Sequence, residues 1–161
     1  MLNAYSSLFT LKLFAVLGCG LIGGVFFAFS TFVMKALAQQ PPAAGIATMQ
    51  SINITVINPW FMTAFVGTAV ACIILAISSL LKWHQPSGIY LLFGCILYVF
   101  GTFGVTMIFN VPLNDALAIA KPDSPEGANL WANYLTDWTF WNHVRTIAAL
   151  AATALFTITL R

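Results

Sequence analysis

The polar residues of this chain that could do chemistry are concentrated in one stretch, WTFWNHVRT, which covers residues 138–146. It brings an amide, an imidazole and a guanidinium close together (Asn142, His143 and Arg145) and adds two indoles (Trp138 and Trp141). An almost purely aliphatic segment follows it. Polar groups near a membrane interior are costly and tend to face a cavity or one another. The stretch therefore predicts one wall of a polar pocket.

A helix through this stretch would point its two basic side chains in different directions. At about 100° per residue, His143 and Arg145 lie about 160° apart, and Asn142 falls in a small and polar arc. The arc also holds Thr146, Ala149 and Thr153, with Trp138, Arg145 and Ala152 at its side. Because a guanidinium that faces lipid is disfavoured, we expect Arg145 to point inward, paired with Asp115 or Asp137. His143 then lies on the opposite flank, as a candidate catalytic or ligand-binding group.

The rest of the chain must place this stretch at the edge of a membrane. Of 161 residues, 60% are hydrophobic and only 6% are charged, and the mean hydropathy is +0.92. A soluble domain is about half apolar and about a quarter charged, so the composition predicts an integral membrane protein. The net charge of +2 and the lack of a basic run argue against nucleic acid as a partner. The expected partners are membrane lipid and a small lipophilic molecule.

Four apolar runs approach the length of about 20 residues that a helix needs to cross a bilayer. They cover about residues 13–34, 60–81, 89–109 and 139–160. The fourth run is apolar or hydroxylated only from Thr146 onward, so it reaches full length only with the polar stretch included. We therefore predict an all-α protein, one domain over residues 1–161 that forms a four-helix transmembrane bundle.

Two connections in this bundle are longer than turns. Residues 43–57 predict a short extra helix between spans 1 and 2, and residues 110–137, which hold all four acidic residues, predict a structured loop between spans 3 and 4. Pro112 lacks an N–H and disfavours helical angles at the residue before it. The third helix should therefore stop or kink there. Asn110 and Asn114 would either cap that helix end or line a site beside it.

Lysine and arginine counts give a weak preference for one orientation. Both termini share one side with Lys12, Lys82 and Arg161, and the long connections carry Lys35, Lys121 and, at the edge, Arg145. The positive-inside rule then predicts an inner or plasma membrane protein with both termini cytoplasmic. The first span and the small residues after it also resemble a secretory signal peptide, but the apolar run is longer than a typical signal core. We expect a retained span.

The sequence lacks the residues that several common kinds of functional site require. Cys19, Cys72 and Cys95 lie in three separate apolar runs, which is typical of packing residues and not of a disulfide framework. No spacing predicts a metal site, no phosphate-binding loop or nucleophile elbow is present, and no carboxylate lies in mid-span as a proton-coupled carrier needs. Gly20 and Gly24 predict close helix packing within the chain, with a homo-oligomer as the alternative. We expect no metal and no other cofactor.

Four phrases at their observed spacing resemble one known family. They are GGVFFAFSTFVMKAL (23–37), GIATMQSINITVINPWF (45–61), NVPLNDAL (110–117) and WTFWNHVRT (138–146). Together they resemble the DUF1772 family, which includes the fungal anthrone oxygenases, over nearly the whole chain, and the last two phrases are the most specific. Lys35 stands where many relatives would have proline. The resemblance implies a four-helix membrane protein.

The resemblance also implies a polar cluster and a reaction. The family's known chemistry oxidises an anthrone to an anthraquinone with O₂ and apparently no cofactor. The implied roles are the base for His143, oxyanion donors for Asn142, Arg145 and Asn110, ring stacking for Trp138 and Trp141, and further polar contacts to substrate for Asn53, Asn58 and Asn114. A regular helix conflicts with His143 and Arg145 facing one pocket.

Three functional hypotheses follow in order of preference. The first is a cofactor-independent oxygenase that acts on a small lipophilic aromatic molecule of the anthrone or quinol type. The second is a non-catalytic lipophile-binding protein or a partner subunit of a membrane complex. A transporter ranks third because no charge lies in mid-span. A pocket lined by Asn142 with either His143 or Arg145 favours the first hypothesis, and a polar cluster that is satisfied internally favours the second.

Overall fold

The chain is helical throughout its described part. A computed structural model describes residues 2–81 and 86–160, and no β-strand occurs within these ranges. The elements, in chain order, are α1 (Leu2–Ala28), π1 (Phe29–Val33), α2 (Met34–Ala38), α3 (Pro42–Thr55), α4 (Pro59–Leu81), α5 (Pro86–Ile96), π2 (Leu97–Gly104), π3 (Thr106–Asn110), α6 (Val111–Ala118) and α7 (Pro125–Ile158). The all-α prediction is confirmed.

Two of the predicted spans are parts of longer helices. The backbone stays in the right-handed helical region on both sides of each π segment. The elements α1, π1 and α2 therefore form one continuous rod, and α5, π2, π3 and α6 form another. The predicted limits of 13–34 and 89–109 are too short, because hydropathy marks only the most apolar part of a helix. The limits predicted for the second span, 60–81, are nearly those of α4.

Pro112 does not end the third helix, and the expected departure from helical angles before it is wrong. Val111 has φ −62° and ψ −48°, and its N–H bonds to the carbonyl of Thr106, five residues back. The π turn changes the hydrogen-bond register just before the proline, so that the ring meets no carbonyl held in the regular α position. Asn110 makes no side-chain capping bond. Asn110 and Asn114 thus lie along a continuous helix and do not cap its end.

Helix α7 begins much earlier than the predicted fourth span. It runs for 34 residues from Pro125 to Ile158, and Ser124 caps its start by accepting the N–H of Gly127 at 2.9 Å. A serine cap, a proline in the first turn and Glu126 after it are favourable helix-start residues. The predicted structured loop over residues 110–137 is therefore mostly helix, divided between α6 and the first turns of α7.

The short extra helix between spans 1 and 2 is confirmed as α3. It packs against α2, α6 and α7. The amide of Gln50 donates to the carbonyls of Leu117 at 2.8 Å and Ala120 at 3.1 Å. These carbonyls lie at the end of α6, where a helix leaves its last acceptors without partners in its own backbone. The hydrogen bonds therefore fix α3 beside α6.

Buried side chains form two clusters that share α7. The first cluster joins α1, α4, α5 and the second half of α7, and it contains Cys19, Cys72 and Cys95, which are buried and free. The second joins α2, α3, α6 and the first half of α7. Its members are Met34, Leu37, Ile46, Met49, Leu117, Trp131, Tyr134 and Trp138. The boundary between the two clusters lies between Trp138 and Ala152 on α7.

Small residues bring α5 and π2 close to α7. A Cβ at Gly94 would lie 2.7 Å from the Phe156 ring, and one at Gly101 would lie 2.7 Å from Ala148. At Gly24 a Cβ would meet nothing within 4 Å. The predicted close helix packing is therefore confirmed at Gly20, where a Cβ would lie 3.7 Å from Thr153 of α7, and is wrong at Gly24.

Within residues 2–81 and 86–160, three helical stretches are long and apolar enough to cross a membrane. They are Ser6–Ala38, Pro59–Leu81 and Gly88–Ala118. Helix α1 packs against α4 and α7, and α5 with π2 packs against the same two helices. The fourth predicted span corresponds to the second half of α7, which is not among the three. Lys82 and Arg161, two of the basic residues behind the predicted orientation, lie outside the described residues.

Candidate functional site

The inner face of α7 carries a row of aromatic rings that leads to a buried cation. Trp131, Tyr134 and Trp138 stack in sequence, with ring centroids 5.6 and 6.0 Å apart and interplanar angles of 17° and 21°. The guanidinium carbon of Arg145 lies 4.7 Å from the centroid of the Trp138 ring. Spacings of three, four and seven residues put these four side chains on one face of a helix. We call them the α7 ladder.

Arg145 is the only buried charged side chain in the described part of the chain, with 4% of its surface exposed. Its guanidinium contacts a second ring as well, because the centroid of the Phe26 ring of α1 is 4.0 Å from the guanidinium carbon. Its Nε donates to Asn142 Oδ1 at 3.0 Å, and its Nη1 donates to Thr106 Oγ1 at 3.3 Å. Cation–π attraction and neutral acceptors hold this charge in the core.

The inward orientation of Arg145 is confirmed, but its expected ion pair is wrong. Asp115 and Asp137 are both exposed, and neither is among the partners of the guanidinium. Both carboxylates lie where water can solvate them, which removes the drive to pair with a buried cation. The charge of Arg145 therefore has no carboxylate beside it within residues 2–81 and 86–160.

Asn142 links the ladder to the first helix. Its Nδ2 donates to the carbonyl of Phe26 at 2.8 Å and to Ser30 Oγ at 2.7 Å, while its Oδ1 accepts from Arg145. Ser30 lies in π1, and Thr106, the other partner of Arg145, lies in π3. Both π segments thus turn toward the pair of Asn142 and Arg145. Such segments are common at functional sites because the extra residue redirects side chains.

Two members of the α7 ladder donate hydrogen bonds to the side chain of Asn114. Its Oδ1 accepts from the hydroxyl of Tyr134 and from Trp138 Nε1, each at 2.8 Å. Burial raises the pKa of Tyr134 well above its usual value, opposed in part by the neighbouring amide of Asn53. Tyr134 therefore stays neutral and keeps the proton that it donates.

Asn110, also buried, donates from Nδ2 to the carbonyl of Trp138 at 3.1 Å, and its Oδ1 has no partner.

A groove of about 590 Å³ opens between α3 and α6. Each side presents residues at spacings of three, four and seven, which is one face of a helix. The α3 side consists of Gln50, Asn53, Ile54 and Ile57, and the α6 side of Val111, Asn114, Asp115 and Ala118. The Nδ2 of Asn53 is buried and makes no hydrogen bond of regular geometry, although the Asn53 amide is close enough to the Tyr134 hydroxyl to lower its pKa. We call this feature the α3–α6 groove.

The α3–α6 groove and the α7 ladder meet at Asn114. Its oxygen faces Tyr134 and Trp138, while the residue itself lines the groove. The nitrogen of the same amide makes no hydrogen bond to any described residue, so its two N–H groups remain free to donate. The structure therefore brings the predicted residues together in two layers. Asn53 and Asn114 line the groove, and Asn110, Trp138, Asn142 and Arg145 lie in the core behind it.

Three predicted residues lie elsewhere. His143 is exposed on the outer flank of α7, as helical geometry predicts. Asn58 belongs to the turn before α4, where its Oδ1 accepts the N–H of Phe61 at 3.0 Å. Trp141 is half-buried and stacks on Phe109, with centroids 3.6 Å apart and an interplanar angle of 9°. None of the three lines the groove.

Several residues of this site were not predicted. Ser30 and Thr106 resemble ordinary hydroxyl residues of an apolar span, so nothing in the sequence marks them as partners of Asn142 and Arg145. Tyr134 did leave a signal, since Trp131, Tyr134 and Trp138 are spaced by three and four residues. That spacing was obscured by the prediction of a loop over this region.

An all-helical chain with three bilayer-length apolar helices and a polar network inside its core is a small integral membrane protein. Within the described residues, no group of three His, Cys, Asp or Glu side chains could hold a metal ion. The model of the anthrone oxygenase family matches residues 60–155. This is more than half of the chain, and the protein belongs to that family, the DUF1772 family. No curated protein and no solved structure matches the chain.

The family match covers one side of the groove and not the other. It contains Asn110, Asn114 and the whole of WTFWNHVRT, but it begins after Asn53 and Asn58. The α6 side of the groove and the α7 ladder therefore lie within the family match. The α3 side lies before it.

Proposed function

We propose that this protein is a membrane oxygenase that uses O₂, without a cofactor, to oxidise a small lipophilic aromatic molecule of the anthrone or quinol type. One observation carries the proposal: in a member of the anthrone oxygenase family, Asn53 and Asn114 line the same groove, and the buried amide nitrogen of Asn53 makes no hydrogen bond. A buried donor without a partner is costly. An oxygen atom of a bound substrate would satisfy it.

The walls and the rim of the α3–α6 groove suit a flat apolar molecule. Ile54, Ile57 and Val111 supply apolar surface between the polar groups. Ile54 and Ile57 are 75% and 71% exposed, and Trp60, directly after them, is 88% exposed. Exposed apolar residues with a tryptophan are typical of the membrane interface. A lipophilic substrate dissolved in the bilayer would therefore reach the groove across this rim.

The groove also offers what the charge of the reaction requires. Removing a proton from a carbon beside aromatic rings and conjugated with a ketone leaves negative charge on the ketone oxygen. The amide nitrogens of Asn53 and Asn114 are donors for that oxygen, and the positive charge of Arg145 lies behind them in a medium of low dielectric constant. Loss of one such donor costs about 100-fold to 1,000-fold in kcat.

The predicted roles of Asn142 and Arg145 become those of positioning residues in this proposal. Neither lines the groove, but Arg145 contacts Trp138, which donates to Asn114. Their replacement would displace the Asn114 amide and so act on the substrate through a neighbour. A role for His143 as the base would require the substrate at the exposed flank of α7, away from the groove.

The proposal includes an arrangement in the membrane. The second half of α7 forms a fourth span beside the three apolar helices, and both termini face the cytoplasm. Membrane lipid then contacts the apolar outer surface, and the groove lies near the opposite interface. Residues 146–160 contain no charged side chain, which supports this assignment.

A second candidate function is a non-catalytic lipophile-binding protein. The specific observation in its favour is that Asn142 makes all its hydrogen bonds within the protein, to Phe26, Ser30 and Arg145. A polar cluster satisfied in this way can serve structure alone. Binding of the same aromatic molecule without consumption of O₂ would support this candidate.

The test measures O₂ consumption and anthraquinone formation from unsubstituted anthrone by the full chain in lipid nanodiscs. We expect one O₂ consumed for each anthraquinone formed, above the rate of protein-free nanodiscs. Asn53→Ala should lower kcat/KM by about 100-fold, because it removes the unpartnered donor. Ser51→Ala, on the exposed face of α3, is the matched control and should leave the rate unchanged. A wild-type rate equal to the background would refute the oxygenase assignment.

A further inference from the structure

One ionisable group in the α3–α6 groove has no assigned role. Of the eight residues that line the groove, only Asp115 carries a titratable side chain. Its carboxylate is exposed and makes no hydrogen bond or ion pair with any other described residue. The remaining acidic residues, Asp123, Glu126 and Asp137, do not line this groove. A free carboxylate in the same groove as two side-chain amides is an arrangement that could move a proton.

We infer that Asp115 is the general base that removes the proton from the substrate carbon, an inference that rests on the proposed oxygenase function. In an anthrone the ketone oxygen and the acidic C–H group lie at opposite ends of the central ring. Among the groove residues the Asn53 nitrogen is buried and Asp115 is exposed, so this amide lies deeper than the carboxylate. A substrate whose ketone points to the buried donors presents its C–H group toward Asp115.

The position of Asp115 on α6 supports the same orientation. Asn114 and Asp115 are consecutive, so their side chains leave the helix about 100° apart, and the groove is wide enough to include both. Asn114 is fixed by Tyr134 and Trp138. The carboxylate beside it therefore stands at a set position relative to a donor for the ketone oxygen.

The proposed steps balance in atoms and electrons. The Asp115 carboxylate takes a proton from the C–H bond, whose electron pair moves into the ring system as an enolate. The enolate passes one electron to O₂, and the resulting radical combines with superoxide to form a carbon–oxygen bond. The peroxide anion takes the proton back from Asp115. Loss of water from the hydroperoxide, with the second C–H proton, gives the new ketone, so that one O₂ yields one ketone and one water.

The proton step can be measured without O₂. Under anaerobic conditions in D₂O, the full chain in nanodiscs should catalyse deuterium incorporation at the acidic carbon of unsubstituted anthrone. Asp115→Asn should lower this exchange rate by about 100-fold or more, the usual contribution of a positioned base. Anthraquinone binding, followed by quenching of tryptophan fluorescence, should stay within about threefold, because the substitution keeps the shape of the side chain. Asp137→Asn and His143→Ala should leave the exchange rate unchanged.

The outcomes separate this inference from the oxygenase proposal. Exchange that survives in Asp115→Asn but is lost in His143→Ala would overturn the role of Asp115 and leave the oxygenase function intact. Exchange that depends on Asp115 in a protein that consumes no O₂ would support the base and refute the oxygenase. Absence of both activities in the wild type would overturn both. Loss of anthraquinone binding in Asp115→Asn would also contradict the inference, because the residue would then act in binding.

Discussion

The unpaired cation of Arg145 can be perturbed by two substitutions that separate charge from shape. Arg145→Lys keeps the positive charge but replaces a flat, delocalised cation with a compact and strongly hydrated ammonium. Arg145→Met keeps an unbranched side chain of similar length and removes the charge. We expect the lysine variant to be the less stable of the two, although lysine is the closer chemical relative of arginine.

The contacts of Arg145 indicate the size of the effect. Its two ring contacts, at 4.0 and 4.7 Å, should contribute about 1–2 kcal/mol each in a desolvated site. Its side-chain hydrogen bonds to Asn142 and Thr106 add about 0.6 kcal/mol each, the average for polar contacts inside a membrane protein. Together these contacts offset the several kcal/mol that desolvation of the charge costs.

The two variants change this balance differently. Methionine loses these contacts and leaves Asn142 Oδ1 without its donor, which costs about 1–3 kcal/mol of stability. It also removes the desolvation cost of the charge. We therefore expect Arg145→Met to lower the free energy of unfolding by about 0–3 kcal/mol. Lysine keeps a buried charge and cannot lie flat against the rings of Phe26 and Trp138. We expect Arg145→Lys to lower the free energy of unfolding by about 3–5 kcal/mol, which is similar to the effect of breaking a buried ion pair.

Thermal unfolding in detergent, followed with a thiol-reactive fluorogenic dye, measures this order directly. The dye suits the protein because Cys19, Cys72 and Cys95 are buried and react when the core opens. Ile147→Met, on the exposed side of the same helix, is the control and should keep the wild-type Tm. If Arg145→Lys unfolds at a higher temperature than Arg145→Met, charge alone holds this position and the reasoning from the two rings fails.

Two further substitutions test the packing of the core and the support of Asn114. Gly94→Ala should lower the free energy of unfolding by about 1–3 kcal/mol, because the new Cβ would lie 2.7 Å from Phe156. Gly24→Ala is the control, since nothing lies within 4 Å of its new Cβ, and it should be neutral or slightly stabilising in the same unfolding assay. Trp138→Phe removes the 2.8 Å bond to Asn114 but keeps a ring, so it should raise KM for anthrone with a stability loss of about 0.5–1.5 kcal/mol. An unchanged KM would show that Asn114 does not need this donor.

Local periodicity explains which parts of the fold were predictable. Hydropathy and helix geometry act over a few residues, so α4 and the short helix α3 were predicted nearly at their observed limits. The same geometry predicted that Arg145 and His143 point to opposite flanks, and the cost of a guanidinium in lipid made Arg145 the stronger candidate for the interior. The errors arose where one local rule was applied alone. Pro112 was expected to end a helix because the change of register in π3 has no sequence signature.

The amino-acid sequence by itself determined that this protein is an all-helical membrane protein of the anthrone oxygenase family, and which side of α7 turns inward. Only the tertiary structure decided what that side meets. The partners of Asn142 are 112 and 116 residues away in the chain, and the groove joins two helices that are separated by two long spans. A helix's own period sets the direction of a side chain about its axis, but not the height or rotation of the neighbouring helix. For that reason WTFWNHVRT predicted a polar wall, while the packing of α1, α3 and α6 against it decided that Arg145 is held by rings and that the groove opens beside Asn114 and Asp115.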